Sequence, residues 1–271
     1  MSESRVVDPG GSGPKAALYE AIGRGYARTR RPDPRLAAAI TAALGPARTV
    51  VNVGAGAGSY EPADRDVVAV EPAAVMVAQR PPGAAPAVRA RSEALPFADG
   101  AFDAALAVLT VHHWADRAGG LAECARVARG RVVVFTWDPA SDGFWLVQDY
   151  FPDLLALDRR IFPGMPELVD GLGAAFGAGG NVDVRPVPIP ADCVDGFTGA
   201  YWRRPAAYLD AGVRGAMSSF GRVDDVDVRL DRLRADLASG TWAARHGGLV
   251  GLDALDVGYR LVVARAPRLG A

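Results

Sequence analysis

RTVVNVGAGAG (residues 48–58) joins a short β-branched run to three glycines spaced one residue apart. β-Branched residues favour strands, and glycine permits turns in which the main chain closely approaches a neighbouring group. We therefore predict a buried strand over residues 48–53 that ends in a tight turn at Gly54, Gly56 and Gly58.

Beyond this turn, apolar runs of strand length alternate with patterns of helical spacing. Strands are predicted at 66–72, 85–91, 102–111 and 131–137, and helices at 73–80 and 118–129. This alternation is typical of a parallel sheet that is covered by helices on both faces. Two further strands, at 181–189 and 259–266, are expected after a less regular region.

The flanking segments have helical spacing of a different kind. Helices are predicted at 15–31 and 35–44, with prolines separating them. Residues 138–180 are interpreted as aromatic-rich helices and turns, in which the Gly- and Ala-rich stretch 164–180 forms a loop. Residues 194–240 are expected to be helical.

An acidic residue follows the glycine turn. Glu71 ends the second predicted strand, 17 residues after Gly54 (71 minus 54). A carboxylate there can accept hydrogen bonds from both ribose hydroxyls of a nucleoside cofactor. Dinucleotide enzymes favour GxGxxG, whereas the spacing here is GxGxG. A nicotinamide oxidoreductase is further disfavoured because Lys15 is the only lysine, which leaves no Tyr-x-x-x-Lys pair.

A third segment, ARSEALPFADGAFDAALAVLTVHHWAD (residues 90–116), is a loop that leads into the fourth predicted strand. The glycine turn, Glu71 and this segment, in this order, resemble the class I S-adenosylmethionine-dependent methyltransferases. Within that family they are most similar to the type 11 group of bacterial small-molecule enzymes. The resemblance covers about residues 15–137, roughly half of the chain.

The resemblance implies a fold and a cofactor. The expected fold is a Rossmann-like α/β sheet of seven strands in the order 3-2-1-4-5-7-6, with the last strand antiparallel, helices on both faces and a helical, aromatic cap. A disordered N-terminus (1–14) would precede a single domain (15–271), with lid helices at 15–44 and acceptor-side helices at about 138–180 and 194–240. The expected cofactor is S-adenosyl-L-methionine, with no metal.

The resemblance also implies which residues hold this cofactor. The methionine part would face Gly54, Gly56 and Gly58, and its amine would meet the backbone carbonyl of Leu109. The ribose would face Glu71 and its neighbour Pro72. The adenine would be flanked by Ser92 and Glu93.

The N-terminal pattern YARTRRP (residues 26–32) resembles the lid helix of this family, in which an arginine pairs with the cofactor carboxylate. Arg30 lies four residues after Tyr26 and so on the same helical face, which makes Arg30 the predicted partner. Arg31 is the alternative.

Three features depart from the family pattern. Asn52 stands where the family usually has Asp or Glu, so a charge-assisted contact to the methionine end becomes a neutral one. Arg91 takes the place of an aspartate that often meets the adenine amine, so that contact must come from backbone or from Glu93. Residues 59–66 leave room for about one turn of the helix that normally follows the glycines, which lets Tyr60 point into the cofactor site.

The chemistry is expected where the fourth and fifth strands end, since ligands of open parallel sheets bind beyond the carboxyl ends of the strands. His113 is the candidate general base for an acceptor that must lose a proton, with His112 second and Asp138 as an orienting carboxylate. The alternative is that both histidines only shape the turn or pack against the cofactor.

Aromatic residues after the fifth strand could line a pocket for a flat or apolar acceptor, or could simply form core. The candidates are Trp137, Phe144, Trp145, Tyr150, Phe151, Phe162, Tyr201, Trp202 and Tyr208.

The composition of the chain limits the classes of partner that it is expected to bind. The net charge of the 271 residues is -1, which gives no bulk attraction to nucleic acid or to an anionic membrane. No apolar run suits a signal peptide or a membrane span, so we expect a cytoplasmic location. The expected partner is a small-molecule acceptor bound by a monomer or homodimer. Protein or RNA methylation, and a cofactor-binding module without transfer activity, are the alternatives.

Overall fold

The computed structural model describes residues 30–177 and 180–267. Its strands are β1 (Thr49–Val53), β2 (Asp66–Val70), β3 (Ala87–Val88), β4 (Phe102–Val108), β5 (Ala128–Trp137), β6 (Asn181–Pro186), β7 (Ile189–Pro190), β8 (Ala254–Leu255) and β9 (Tyr259–Arg265). Its α-helices are α1 (Pro34–Leu44), α2 (Ala74–Val77), α3 (Arg117–Val127), α4 (Pro152–Ile161), α5 (Met165–Phe176), α6 (Ala211–Arg214), α7 (Val226–Ser239) and α8 (Thr241–His246). Single 3-10 turns occupy Val111–His113, Thr198–Tyr201, Pro205–Leu209, Phe220–Arg222 and Gly247–Gly251, and a π turn occupies Leu146–Tyr150.

Seven strands form one sheet in the order β3-β2-β1-β4-β5-β9-β6. The first five strands pair in parallel. β9 pairs antiparallel with both β5 and β6. With β9 as the seventh strand of the sheet, the predicted order and the predicted antiparallel last strand are confirmed. β7 and β8 pair separately as a small antiparallel ribbon, which the sequence did not predict.

Both faces of the sheet are buried, as a parallel sheet requires. On β4, Leu106 belongs to a cluster that includes residues of α1, the leucines of α4, and aromatic residues from the segments before α4 and after β7. Its neighbour Ala105 belongs to a second cluster with α3 and α5 on the opposite face. Alternate side chains of β4 therefore pack into two separate hydrophobic cores, one on each face of the sheet.

Helix α1 confirms the prediction of a helix at 35–44. Asp33 caps its N-terminus by accepting a hydrogen bond from the backbone N–H of Arg35 at 3.0 Å, and Gly45, with a φ of 57°, follows its last residue. The helix buries one stripe against the sheet, formed by Leu36, Ile40, Ala43 and Leu44.

Helix α5 contradicts the loop predicted at 164–180. Leu168 and Leu172 are buried between this helix and the sheet. A side chain at Gly171 would meet Leu121 of α3 at 3.0 Å, so the glycine permits close helix packing. Composition suggested a loop because the reason for this small residue lies in a tertiary contact.

Two other segments differ in detail from the predictions. The chain between β1 and β2 forms turns with no helix, where about one helical turn was expected. The region 194–240 contains short 3-10 turns and α6 before it forms the longer helix α7. Residues 1–29, which include the predicted disordered N-terminus, most of the first lid helix and Tyr26, lie outside the described residues.

Across residues 30–177 and 180–267, no helix combines the length and the apolar character that crossing a bilayer requires.

Candidate functional site

The glycine turn is held against the carboxyl ends of β2 and β4. The backbone N–H groups of Gly54 and Ala55 both donate to the Val70 carbonyl, at 2.8 and 3.0 Å. The three glycines have φ values of 71°, 54° and 95°, and a side chain at Gly54 would overlap the hydroxyl of Thr110. Main-chain geometry that suits glycine alone therefore builds this turn.

Glu71 lies directly after β2, beside the turn. Its Oε2 accepts from the Gly56 N–H and its Oε1 from the Ala73 N–H, each at 2.9 Å. Burial raises the pKa of Glu71, while both backbone hydrogen bonds oppose that rise. Each carboxylate oxygen has a second lone pair available for a hydroxyl donor. Pro72, the next residue, is exposed.

The first departure, Asn52, lies at the end of β1 and is 1% exposed. Its Nδ2 donates to Glu61 Oε1 at 3.2 Å, and Glu61 forms a buried ion pair of 2.7 Å with Arg80. An aspartate at position 52 would set two carboxylates against each other, whereas the amide donates to one. Within the described part of the chain, no group donates to the buried Oδ1 of Asn52.

The loop predicted to flank an adenine connects two parts of the chain. Glu93 Oε1 accepts from the backbone N–H groups of Ala115 and Asp116, at 2.9 and 3.0 Å. Ser92 is buried, and a side chain at Gly120 of α3 would come within 3.2 Å of its Cβ. Ser92 and Glu93 thus fix the entry to α3; their contact with adenine stays a prediction.

The backbone after β4 is strained. Leu109 has a φ of 50°, a left-handed conformation that is rare for a branched side chain, and its N–H donates to the Phe135 carbonyl at 2.7 Å. Such outliers persist where the surroundings impose them, and they concentrate at ligand sites. The reversal leads directly into the single turn that carries both histidines.

The two histidines lie against the cap. The ring centroids of His112 and His113 are 3.8 Å apart, and the ring of His112 stacks on Phe162 at 3.9 Å with an interplanar angle of 21°. Phe162 also makes an edge contact of 5.5 Å with Trp137, the last residue of β5. The ends of β4 and β5 are therefore joined by rings.

A cleft opens at this edge of the sheet. It brings together the predicted residues Arg30, Leu109, His112 and His113 with three of the nine aromatic candidates, Trp137, Phe144 and Phe162. Its remaining walls come from Asp158, Phe197, Thr198, Ala216, Met217, Ser218, Ser219 and Tyr259.

The other aromatic candidates lie away from the cleft lining. Trp145 makes edge contacts with the rings of Tyr150 and Tyr208, and Phe151 packs on Phe220. The Trp202 indole donates to the Ile189 carbonyl in the buried interior. Together with the partly buried Tyr201, these residues form the core of the cap.

Asp138 lies outside the lining of the cleft. Its Oδ1 accepts from the Ala140 N–H at 3.0 Å, and its Oδ2 accepts from the Ser141 hydroxyl at 3.2 Å. These contacts close the turn after β5; an orienting role toward a histidine stays a prediction.

Arg30 and Tyr60 meet on one buried carboxylate. Arg30 Nε pairs with Asp195 Oδ1 at 2.8 Å, and the Tyr60 hydroxyl donates to Asp195 Oδ2 at 2.7 Å. Burial and the adjacent carboxylate raise the pKa of Tyr60, so the phenol keeps the proton it donates. The ring of Tyr60 packs toward Phe135 at 6.4 Å. The network ties the segment before α1 to the cap.

Comparison with known proteins identifies the family. Residues 51–135, from β1 through the glycine turn to β5, match the family described as "Methyltransferase domain". A solved structure described as a candidate methyltransferase from an antibiotic biosynthesis pathway of Anabaena variabilis is 32% identical. The match covers 87% of this chain and 98% of that chain, with a TM-score of 0.80. This chain belongs to the class I S-adenosylmethionine-dependent methyltransferases.

More distant solved structures share the fold of the methyltransferase. Phosphoethanolamine N-methyltransferase 2 of Haemonchus contortus, solved with phosphomonomethylethanolamine and S-adenosylhomocysteine, is 12% identical, over 93% of this chain and 57% of that chain, with a TM-score of 0.54. The (4+2)-cyclase SpnF is 17% identical over 92% and 93%, with the same TM-score. No curated protein matches the methyltransferase.

The methyltransferase uses S-adenosylmethionine, and the turn fits that cofactor. Gly56 and Gly58 hold the turn at positive φ, and a side chain at Gly58 would come within 3.2 Å of Arg80. The buried Asn52 Oδ1 is an acceptor that an ammonium group would satisfy, and Glu71 retains lone pairs for hydroxyl donors.

Sequence reasoning missed several polar residues of this methyltransferase. Glu61 lies three residues after Gly58, so its closeness to the turn was a usable signal. Asp158 and Asp195 gave no local signal because their partners are remote: Ser219 is 61 positions from Asp158, and Arg30 is 165 positions from Asp195.

Proposed function

We propose that this methyltransferase transfers a methyl group to a small aromatic or otherwise apolar molecule that binds in the cleft. The observation that carries the proposal is the cleft lining, which combines aromatic rings with the two histidines that follow β4. Pockets for small molecules are lined in this way, with a few polar groups that fix orientation.

We assign the cofactor to the glycine turn. Gly54, Gly56 and Gly58 would cradle the methionine part, Asn52 Oδ1 and the Leu109 carbonyl would accept from its ammonium, and Glu71 would accept from the ribose hydroxyls. Ser92 and Glu93 would flank the adenine, and Arg30, with Tyr26, would hold the carboxylate. When bound, S-adenosylmethionine supplies a methyl group on a sulfonium, which is ready for direct displacement.

The chain then contributes position and a base. Displacement needs the acceptor in line and close, so the rings of the cleft do most of the work by orienting the acceptor and excluding water. His113 is proposed to take a proton from a phenol, enol or amine acceptor, since imidazole titrates near neutral pH. His112, held against Phe162, is the second choice, and Asp138 an orienting carboxylate.

The choice of a small molecule over a macromolecule has two supports. The 32%-identical relative is described as belonging to an antibiotic biosynthesis pathway, which is small-molecule chemistry. The net charge of -1 gives no electrostatic footprint for RNA. A cytoplasmic monomer or homodimer remains our expectation, and size-exclusion chromatography with light scattering would measure the oligomeric state.

The test has two stages. Calorimetry should show saturable binding of S-adenosylhomocysteine and no binding of NADH. Labelled S-adenosylmethionine should then transfer its methyl group to members of a panel of phenols, aromatic amines and enols. Transfer confined to RNA or to protein, with every small molecule left unlabelled, would overturn the proposal.

A further inference from the structure

Asp158 lines the cleft, as does Phe162, the residue that follows the same helix. Asp158 lies on α4, and its backbone carbonyl accepts a hydrogen bond from the N–H of Phe162 at 2.8 Å. Phe162 is the ring that stacks on His112. Asp158 is therefore one helical turn, about 5–6 Å along the helix axis, from the ring that stacks on His112, the second candidate base.

The carboxylate of Asp158 is only half satisfied. The side chain of Asp158 lines the cleft, yet the residue is 4% exposed. Its Oδ1 accepts from the Ser219 hydroxyl at 2.7 Å. Within residues 30–177 and 180–267, no group donates to Oδ2, and this oxygen is not sealed from the cleft.

This arrangement costs stability. Burial raises the pKa of Asp158 to about 7, against weaker opposing effects of Ser219 and of the Arg222 charge. A buried carboxyl with an unused acceptor is expensive, and an asparagine could hold Ser219 as well through its own carbonyl oxygen. A purely structural role does not account for an acid at this place.

We propose that Asp158 is the polar end of the acceptor site, where Oδ2 accepts a hydrogen bond from a hydroxyl or ammonium group of an otherwise aromatic acceptor. The inference rests on the proposed function, because it assigns an acceptor to the cleft. It narrows the substrate class to aromatic molecules that carry a hydrogen-bond donor besides the group that is methylated. Ser219 holds Oδ1, so the carboxylate plane is fixed and Oδ2 stays available.

Two substitutions separate recognition from structure. Asp158→Asn keeps the size of the side chain and the acceptor for Ser219, but it places an N–H₂ group where Oδ2 accepts. Asp158→Leu removes both oxygens. Asp236→Asn is the matched control, because Asp236 also accepts from a hydroxyl, that of Tyr150 at 2.8 Å, and it lies outside the cleft lining.

The experiment measures binding of three probes with one ring, 2-phenylethylamine, 2-phenylethanol and ethylbenzene, by ligand-observed NMR at saturating S-adenosylhomocysteine. We expect the wild-type enzyme to bind at least one of the first two probes about tenfold or more tightly than ethylbenzene. A preference for the ammonium should be lost in both Asp158 variants, and a preference for the alcohol should be lost in Asp158→Leu. Asp236→Asn should behave as wild type.

Three outcomes would overturn the inference: no probe binds, the three probes bind equally, or an ammonium preference survives in Asp158→Asn or an alcohol preference in Asp158→Leu. S-adenosylhomocysteine affinity is measured on the same samples. Failure of the wild-type enzyme to bind it would count against the proposed cofactor site, whereas intact affinity without a probe preference counts against Asp158 alone.

Discussion

The glycine turn and the cleft adjoin one edge of the sheet, but the turn is built from main chain and the cleft from side chains. The turn consists of main chain, with three glycines at positive φ and a strained Leu109 on the neighbouring strand end. The cleft consists of side chains from remote segments, among them Phe162, Phe197 and Tyr259. The difference teaches that the cofactor half depends on backbone conformation and the acceptor half on which side chains the cap brings in.

Removal of the proposed base should produce the largest effect of these predictions. The effect should lower turnover in the cleft and leave cofactor binding unchanged. His113→Ala is expected to lower turnover by roughly 10²–10⁴-fold, because a positioned base contributes a factor of that size. The dissociation constant for S-adenosylhomocysteine should stay within about twofold of the wild-type value. Single-turnover kinetics with an acceptor from the panel, together with calorimetry, would measure both. Full activity in His113→Ala and in His112→Ala would exclude both histidines as bases.

Asp158, the acid in the cleft, should make the stability of the protein depend on pH. The pKa of Asp158 is raised from 3.8 to about 7, so the folded state favours the protonated form, and that contribution to stability is lost as the pH rises toward 7. Asp158→Asn should therefore match wild type near pH 4. Above pH 7 it should become more stable, by at most about 4 kcal/mol at 1.36 kcal/mol per pKa unit.

Denaturant unfolding of both proteins between pH 4 and pH 8 would check this dependence. The cleft residues Arg30, His112 and His113, and the nearby Arg222 charge, are common to both proteins, so the difference isolates Asp158. A difference in stability that does not change with pH would contradict the raised pKa.

A side chain in the turn should disturb the cofactor half through the backbone. Gly54→Ala places a methyl group on Thr110 at a left-handed φ, and overpacking with that conformation costs about 2–4 kcal/mol of unfolding free energy. S-adenosylhomocysteine affinity should fall with it. Gly173→Ala is the matched control, since among the described residues nothing beyond the local helix backbone lies within 4 Å of the new methyl group in α5. It should be neutral or stabilising by up to about 1 kcal/mol in the same unfolding experiment. Equal behaviour of the two variants would remove the special role of the turn.

Loss of the ribose acceptor should produce the smallest of these effects. Glu71→Ala is expected to weaken S-adenosylhomocysteine binding by about 1.5–3 kcal/mol, the range for hydrogen bonds to a charged group. Because Glu71 also accepts from Gly56 and Ala73, Glu71→Gln serves as the comparison that keeps one acceptor oxygen. Calorimetry would measure all three proteins, and unchanged affinity in Glu71→Ala would mean that the ribose binds elsewhere.

The contrast between the two regions also explains what the sequence could predict. The strand order and the glycine turn were predictable because alternating apolar runs and GxGxG spacing are local patterns that encode backbone structure. The sequence predicted where Asn52 lies, beside the glycine turn. It did not predict that the Asn52 amide donates to Glu61, because that contact exists only in the folded chain.

The rest depended on tertiary contacts. Gly171 looks like a loop residue until Leu121 of α3 is placed beside it. Asp158 looks like a surface acid of α4 until the cap places Ser219 on its carboxylate. Trp145 and Tyr150 looked like pocket residues of the same kind as Phe162, yet they pack into the cap. No local pattern distinguishes a ring in a cleft from a ring in a core.

A crystal structure with bound S-adenosylhomocysteine tests the central claim most directly, because it shows both halves together. We expect both ribose hydroxyls within hydrogen-bond distance of Glu71, and the sulfur open to the cleft beside His113. A ligand whose ribose lies away from Glu71, or whose sulfur is walled off from the cleft, would contradict the account.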